Sequence, residues 1–301
     1  MSAASDPMDP NAPIPTAEAL QAAEMKERRE GYWLAAPALA LMSVVVLAPI
    51  GWLFWLSFIG EDGSFGFENY QKMFGELYLI AMQRTFEISF VVTGLSILLG
   101  YPLAYAMIRF SPRWTAILLA CTLLPFWTSM LVRTYAWLLL LQRRGIINSW
   151  LLDADLIDRP LRLVHNVTGT VIGMTHIMVP FMVLPLYAAM KAIDRDLMKA
   201  ASVNGATPLQ SFLHVFLPLS LPGLMAGTVV VYVLCLGFYI TPAVLGGGRV
   251  TMWAMQIETA VTLNATWGPA AALGITLLAL SLGILWIMSK LFRIDKHLGR
   301  G

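Results

Sequence analysis

Charge is what this chain has least of. Only 13% of its 301 residues are charged, against roughly a quarter in an ordinary soluble domain. So small a polar inventory cannot cover a soluble fold of this length. The net charge of +2 excludes a partner that needs strong complementarity, nucleic acid included. Cysteine is scarce too: Cys121 and Cys235 each sit inside an apolar run, which argues for small buried thiols and against a disulfide framework. The four histidines, His165, His176, His214 and His297, show no metal-ligand spacing. No glycine-rich phosphate loop and no Ser-His-Asp or Cys-His arrangement is present. Catalytic residues, a metal site and a cofactor site are therefore expected to be absent, and nothing here could hydrolyse ATP.

What the chain has in excess is apolar length. Hydrophobic residues make up 58%, and they fall in six runs near 33–58, 86–108, 114–141, 168–190, 220–245 and 270–292. Each can cross ~30 Å of hydrocarbon, which takes about 20 helical residues. Helix is the only form in which a single segment satisfies its own backbone in lipid. The fold class expected is an all-α polytopic membrane protein with six transmembrane helices. Pro125, Pro180 and Pro242 lie deep in their runs and are expected to kink or interrupt them. Residues 1–30 read as a disordered tail ending in a short amphipathic turn near Ala17–Arg29, 31–295 as the membrane domain and 296–301 as a second tail. The tail has no basic start, apolar centre and cleavage site, so the first run is expected to stay in the mature chain.

Lysine and arginine give the orientation. With the N-terminus inside, the inner segments hold Lys26, Arg28, Arg29, Arg109, Arg113, Lys191, Arg195, Lys199, Lys290, Arg293, Lys296 and Arg300. The outer loops hold Lys72, Arg84, Arg143, Arg144, Arg159, Arg162 and Arg249, spread over much longer segments, and Arg133 lies within the third run. Both termini are thus expected in the cytoplasm. Outer connections are long, near 60–85, 142–167 and 246–269. The inner ones are short apart from 191–219.

That inner exception is patterned. Asp194 is placed to cap a helix carrying Ala200 and Ala201, whose small side chains allow close approach of another backbone. Gly205 stands where the helix should end with φ > 0. Thr207-Pro208 opens a second helix with Phe212, Val215, Phe216 and Leu219 on one face. Leu217-Pro218 then leads back to the bilayer. By local pattern alone this is a helix-turn-helix on the membrane surface, with or without a partner.

The order Ala-Ala, three residues, Gly, nine residues, apolar-x-Leu-Pro resembles the "EAA" loop of permease subunits of bacterial ABC importers. Ala200, Ala201, Gly205, Val215, Leu217 and Pro218 carry it here, with Lys199 where a glutamate is usual. Further stretches resemble the polyamine (spermidine/putrescine) branch of that family. They are Phe67-Glu68-Asn69-Tyr70, Gly100-Tyr101-Pro102-Leu103-Ala104-Tyr105, Leu124-Pro125-Phe126-Trp127-Thr128-Ser129, Arg133-Thr134-Tyr135-Ala136-Trp137 and Thr241-Pro242-Ala243-Val244-Leu245-Gly246-Gly247. The resemblance implies a type I importer fold in the bacterial inner membrane, with a coupling loop at 191–219 that docks a cytoplasmic ATPase dimer. ATP and Mg would be bound by that partner and not by this chain. A second permease subunit, homologous or identical, would complete the pore, and a periplasmic solute-binding protein would deliver the solute.

Residues that could touch a solute are fewer. An ionisable group within a span suggests function, and Arg133 and Glu87 are candidates to line the path. The alternatives are that Arg133 pins the outer membrane face, bonding backbone freed by Pro125 or pairing with Glu87, and that Glu87 is partly solvated near its span's outer end. Aromatic faces hold amine cations, and Trp127, Tyr135 and Tyr239 lie near expected helix breaks, although belts at the interface use the same residues. The stretch 250–269, apolar enough to fold back as a helix, carries Glu258 as a gate, a cation contact or a solvated charge. Two other classes remain in view: a self-sufficient secondary transporter or channel, for which no internal inverted repeat is visible, and a membrane-embedded enzyme, for which no catalytic group is.

Overall fold

The computed structural model describes residues 17–60, 62–262 and 267–298, with side chains for 36–60, 62–194, 196–262 and 267–290. The expected disordered tail at 1–16 and the final residues 299–301 lie outside the described residues. The chain forms two units, one up to Trp55 and one from Leu56 onward. The first is the long helix α1 (Ala17–Leu56), apolar enough to cross a membrane over Ala36–Leu56. From Ala17 it is continuous helix, where composition alone suggested an unstructured segment with one amphipathic turn.

The second unit holds the remaining helices in order: α2 (Glu68–Lys72), α3 (Glu76–Arg109), α4 (Pro112–Leu123), α5 (Met130–Leu141), α6 (Ile146–Asp153), α7 (Val167–Lys191), α8 (Arg195–Val203), α9 (Pro208–Ser211), α10 (Leu217–Leu236), α11 (Ile240–Gly246), α12 (Trp253–Thr262) and α13 (Trp267–Leu298). Five helical segments are long and apolar enough to span: Ala36–Leu56, α3, α7, Pro208–Leu236 and Trp267–Lys290. The third expected span is not one rod. A 3-10 turn at Leu124–Trp127 ends α4, and the chain resumes after Ser129 bent by 104°. Counting that bent pair as one gives the six expected.

The prolines explain the breaks unevenly. Pro125 lies in the 3-10 turn beside the bend, as expected of a residue that removes a backbone donor. Pro180 and Pro185 are carried within α7, which remains one helix. The fifth run ends at Leu236, before Pro242, because Gly237 leaves helical geometry there. Pro242 sits in the first turn of α11, where its missing N–H is an orphan donor anyway.

Helix α7 is the centre of the core. Met174, Met178, Met182, Val183 and Leu186 are fully buried, packed against Ile88, Val92, Ala104 and Met107 of α3 and Val231 and Cys235 of α10. Small residues let the backbones close, as in membrane helix pairs generally. A Cβ on Gly100 of α3 would lie 2.8 Å from Met182 Cγ, and one on Gly227 of α10 would lie 2.8 Å from Met182 Sδ and 3.1 Å from its carbonyl oxygen. Hydroxyls tie the same helices: Tyr101 Oη and Ser220 Oγ stand 2.9 Å apart.

The segments at the α7 N-terminal end are equally built. Asn69, buried, donates to the carbonyls of Ser57 and Ile59 at 3.0 and 2.8 Å, while Tyr70 and Ser57 share a 2.7 Å hydrogen bond. Phe58 stacks on Phe65 and meets Phe67 edge-on. The Phe67–Tyr70 motif thus holds its own loop together. Helix α12, expected as a folded-back segment, is pinned by Trp253: its backbone N–H donates to Thr85 Oγ1 at 2.8 Å and its indole to the Leu273 carbonyl at 3.0 Å.

The same substitution should act oppositely at two glycines. At Gly227 an added methyl meets backbone, which does not yield, and overpacking costs about 1–3 kcal/mol. At Gly94, on an open face of α3, nothing lies within 4 Å. Gly227→Ala is expected to lower the melting temperature of the purified protein in detergent, and Gly94→Ala to leave it equal or higher. Equal melting for both variants would rule out the close-packed α7–α10 seam.

Candidate functional site

The loop between α7 and α10 is a closed series of local hydrogen bonds. Asp194 caps α8, its carboxylate accepting from Asp196 N–H at 2.9 Å. At the other end Gly205 takes φ +85°. Its N–H donates to Ser202 O and that of Ala206 to Ala201 O, both at 3.0 Å, which satisfies carbonyls the helix leaves open. Thr207 and Gln210 then form a reciprocal capping box at 2.9 and 3.3 Å, with Pro208 at the first helical position. Two helices are thereby held across a single turn.

One feature departs from the simple periodic reading. Phe212–Phe216 is a π-helical turn, with Leu217 N–H bonding back to Phe212 O. Pro218 has no N–H to offer the carbonyl four residues earlier, and the wider turn beside it accommodates the loss. The extra residue rotates the register. Phe216 is buried and Phe212 half-buried, but Leu219, expected on their face, is exposed. Phe212 stands 5.4 Å and Phe216 5.2 Å from the Tyr105 ring, so this turn grips α3.

Helix α8 itself stands proud. Clefts of about 670 and 380 Å³ flank Met198, the first bounded by Arg109, Lys191 and Asp194 and the second by Tyr105, Lys199 and Ser211. Lys199, Ala200 and Gly205 are exposed, Ala201 is half-buried, and Val203 is 87% exposed. Val215 and Leu217 are half-buried at the root of the loop, and Pro218 is exposed there. Lys199 Nζ pairs with Asp196 at 2.7 Å on the same helix. An exposed amphipathic helix with an apolar tip is a surface built for a partner.

The residues proposed for a solute path divide. Trp127 (82% exposed) closes the 3-10 turn, Tyr135 lies on α5, and Tyr239 precedes α11. The structure brings the two breaks together: Thr134 Oγ1 and Thr241 Oγ1, both buried, stand 3.1 Å apart between α5 and α11. Neither threonine was singled out by the sequence reading, since hydroxyls in apolar runs carry no pattern. The pairing of Arg133 with Glu87 is not made. Glu87 accepts from Gln83 at 2.7 Å and Arg84 at 3.1 Å on its own helix, because their (i−4, i−3) spacing puts them within reach. Arg133 Nε is buried without a hydrogen-bond partner among the described residues. Glu258, half-buried on α12, accepts from Thr262 at 2.9 Å. A cavity of about 510 Å³ beside the bend is lined by Pro125, Trp137 and the polar pair Thr175 and His176. Thr175 Oγ1 and His176 Nδ1 are buried there without a partner among the described residues; the sequence points to neither as a path residue.

Spanning helices with broken segments, and an amphipathic loop offered to a partner, define a transport subunit rather than an enzyme. The family described as "Binding-protein-dependent transport system inner membrane component" matches residues 96–293. The chain belongs to it: it is the multi-pass inner-membrane permease subunit of an ABC importer. The spermidine/putrescine transport system permease protein PotB of Haemophilus influenzae is 33% identical over 255 residues, covering 82% of this chain and 89% of that protein. PotB of Escherichia coli K12 is 30% identical over 244 residues, covering 78% and 89%. The fold matches that of a bacterial alginate ABC transporter, solved in complex with an alginate pentasaccharide-bound periplasmic protein, with a TM-score of 0.70 at 19% identity over 90% of this chain and 96% of that one. Permeases of this class work with a partner permease, an ATPase and a periplasmic binding protein, and bind no cofactor themselves.

Replacing Gly205 with valine forces a β-branched residue into the left-handed region, at a cost of roughly 1–2 kcal/mol or more. The turn between α8 and α9 should reorganise while the membrane bundle stays folded. Gly205→Val is expected to lose co-purification with the ATPase and transport together, whereas Gly205→Asn, which tolerates that region, should retain most of both. Unchanged co-purification and transport in the valine variant would exclude this loop from docking.

Proposed function

We propose that this chain imports a polyamine such as spermidine or putrescine as half of a translocation pathway. Support for the solute comes from the PotB relatives, which match along most of their length. Aromatic faces at the two helix breaks agree with it, since each can contribute on the order of 0.5–2 kcal/mol to holding an ammonium group. The observation that carries the reading of coupling is the hydrogen-bonded loop 194–210 with its exposed apolar tip. Lys199, Ala200, Ala201 and Gly205 meet the ATPase groove by shape, and Val215, Leu217 and Pro218 seat the loop on the bundle.

Both termini lie in the cytoplasm in this reading, which puts α8 on the side where ATP and Mg are bound by the ATPase dimer. The second permease subunit is a homologous chain, and it covers the broken helices. ATP binding and hydrolysis rock the two permeases between outward- and inward-facing states. Trp127, Tyr135 and Tyr239 contact the solute, with Glu258 a cation contact near the mouth; Glu87 and Arg133 flank the path. Thr175 Oγ1 and His176 Nδ1, without partners among the described residues, offer hydrogen bonds within the membrane.

The solute is tested with the assembled transporter and its binding protein in proteoliposomes. Spermidine or putrescine is expected to stimulate ATPase activity, and stimulation by amino acids or other organic cations alone would overturn the polyamine assignment. Tyr239→Ala is expected to raise the solute concentration needed for half-maximal uptake about 3- to 30-fold, the loss of one cation–π contact. Tyr239→Phe should restore most of it, and a variant equal to wild type would remove Tyr239 from the path.

A further inference from the structure

At the end of the bundle opposite the coupling loop, three arginines open onto one cavity. Helix α7 carries the coupling loop on its C-terminal end, and its 25 residues separate the two ends by roughly 37 Å at 1.5 Å per residue. Around its N-terminal end, Arg143, Arg162 and Arg249 line a space of about 560 Å³ with Gln142, His165 and Gly247. They come from three separate places: the end of α5, the segment before α7 and the turn after α11. All three guanidinium-bearing residues are exposed. No carboxylate lines the cavity, and among the described residues none of the three makes an ion pair.

The walls are fixed. Asn148, fully buried, donates to the Gln142 and Leu161 carbonyls at 2.9 and 3.1 Å and accepts from Leu161 N–H at 2.8 Å. Asn166 caps α7 by accepting from Gly169 N–H and donates to Arg162 O at 2.6 Å. His165 is held at φ +58° with its ring against Gly247, so closely that a Cβ on Gly247 would collide with it. A polar cluster tied by buried amides and a strained histidine is arranged for something.

We propose that this arginine cavity is the docking point for an acidic surface of the solute-binding protein. Charge decides the chemistry: three uncompensated guanidiniums call for carboxylates, which they can take in bidentate fashion. Shape decides the size of the occupant. A small ligand is normally buried over most of its surface, whereas this space is shallow and its arginines stand in solvent, as at the charged rim of a protein interface. A polyamine carries the same sign as the cavity and is repelled by it, so the site selects the carrier and not its cargo. The inference rests on the importer function and the orientation proposed above.

The assembled transporter in proteoliposomes tests it, by titrating liganded binding protein and reading stimulated ATPase at low and high salt. For wild type, the half-saturating concentration of binding protein should rise with salt. In Arg162→Glu/Arg249→Glu it should rise at least about tenfold at low salt, since like charges across an interface are strongly unfavourable. Arg162→Gln/Arg249→Gln, which keeps the bulk of the walls, should show a smaller rise and a flattened salt response. Acidic-to-basic replacements on the binding protein should restore tight half-saturation to the glutamate variant. Wild-type stimulation with unchanged titrations in both variants overturns the docking inference alone. Unchanged titration with loss of uptake of an anionic solute reassigns the cavity to the solute path and also overturns it. Absence of any stimulation of wild type overturns the importer reading beneath it.

Discussion

Backbone-close packing of α7 between α3 and α10 is the constraint on which the rest depends. Met182 lies between Gly100 and Gly227, where neither neighbour has a side chain to hold the helices apart. In lipid such contact replaces the hydrophobic effect as the force between helices. Because α7 is clamped at its middle, its two ends become fixed points. One leads into the α8–α9 loop through Asp194, and the other is capped by Asn166 where the segments before α7 and after α11 meet. Helix α8 therefore follows directly on the end of a close-packed helix.

The loop adds a second connection. Its return path enters α10 through the π-helical turn, whose Phe212 and Phe216 hold the Tyr105 ring on α3. The loop is thus joined to α7 directly and to α3 and α10 through aromatic contacts, the three helices that make the core. The broken helices α5 and α11 are latched to each other by Thr134 and Thr241. Rigid core and jointed rim are different parts of one bundle.

Much of this was legible in the sequence because membranes restrict the choices. Apolar length gave the spans, and the Asp194, Gly205 and Thr207-Pro208 signals gave the two short helices between α7 and α10 with their caps where the structure has them. The misreadings have physical causes. Pro242 was taken as an interruption, but a proline in a first turn removes no bond, and the flexible Gly237 ended the helix instead. Leu219 was placed with Phe212 and Phe216 because a uniform 3.6-residue period hides a π-turn. Pairing with Glu87, one of the two alternatives for Arg133, fails because Gln83 and Arg84 lie within one turn of that carboxylate. The pairing of Thr134 with Thr241 is not legible because the two lie 107 positions apart, and Thr175 and His176 gain meaning only from the cavity that folding builds around them.

The 104° bend has a consequence for how the protein is made. Thr128 and Ser129 leave helical geometry and are exposed, in a segment otherwise as apolar as any span. Acyl chains cannot hydrogen-bond peptide groups, at several kcal/mol for each one left unsatisfied, and the bend answers with local bonds: Thr128 N–H donates to Pro125 O and Ser129 O accepts from Arg133 N–H, both at 3.1 Å. These partners are three and four residues apart, so the bend can take shape as soon as its own segment enters the bilayer, before distant helices arrive.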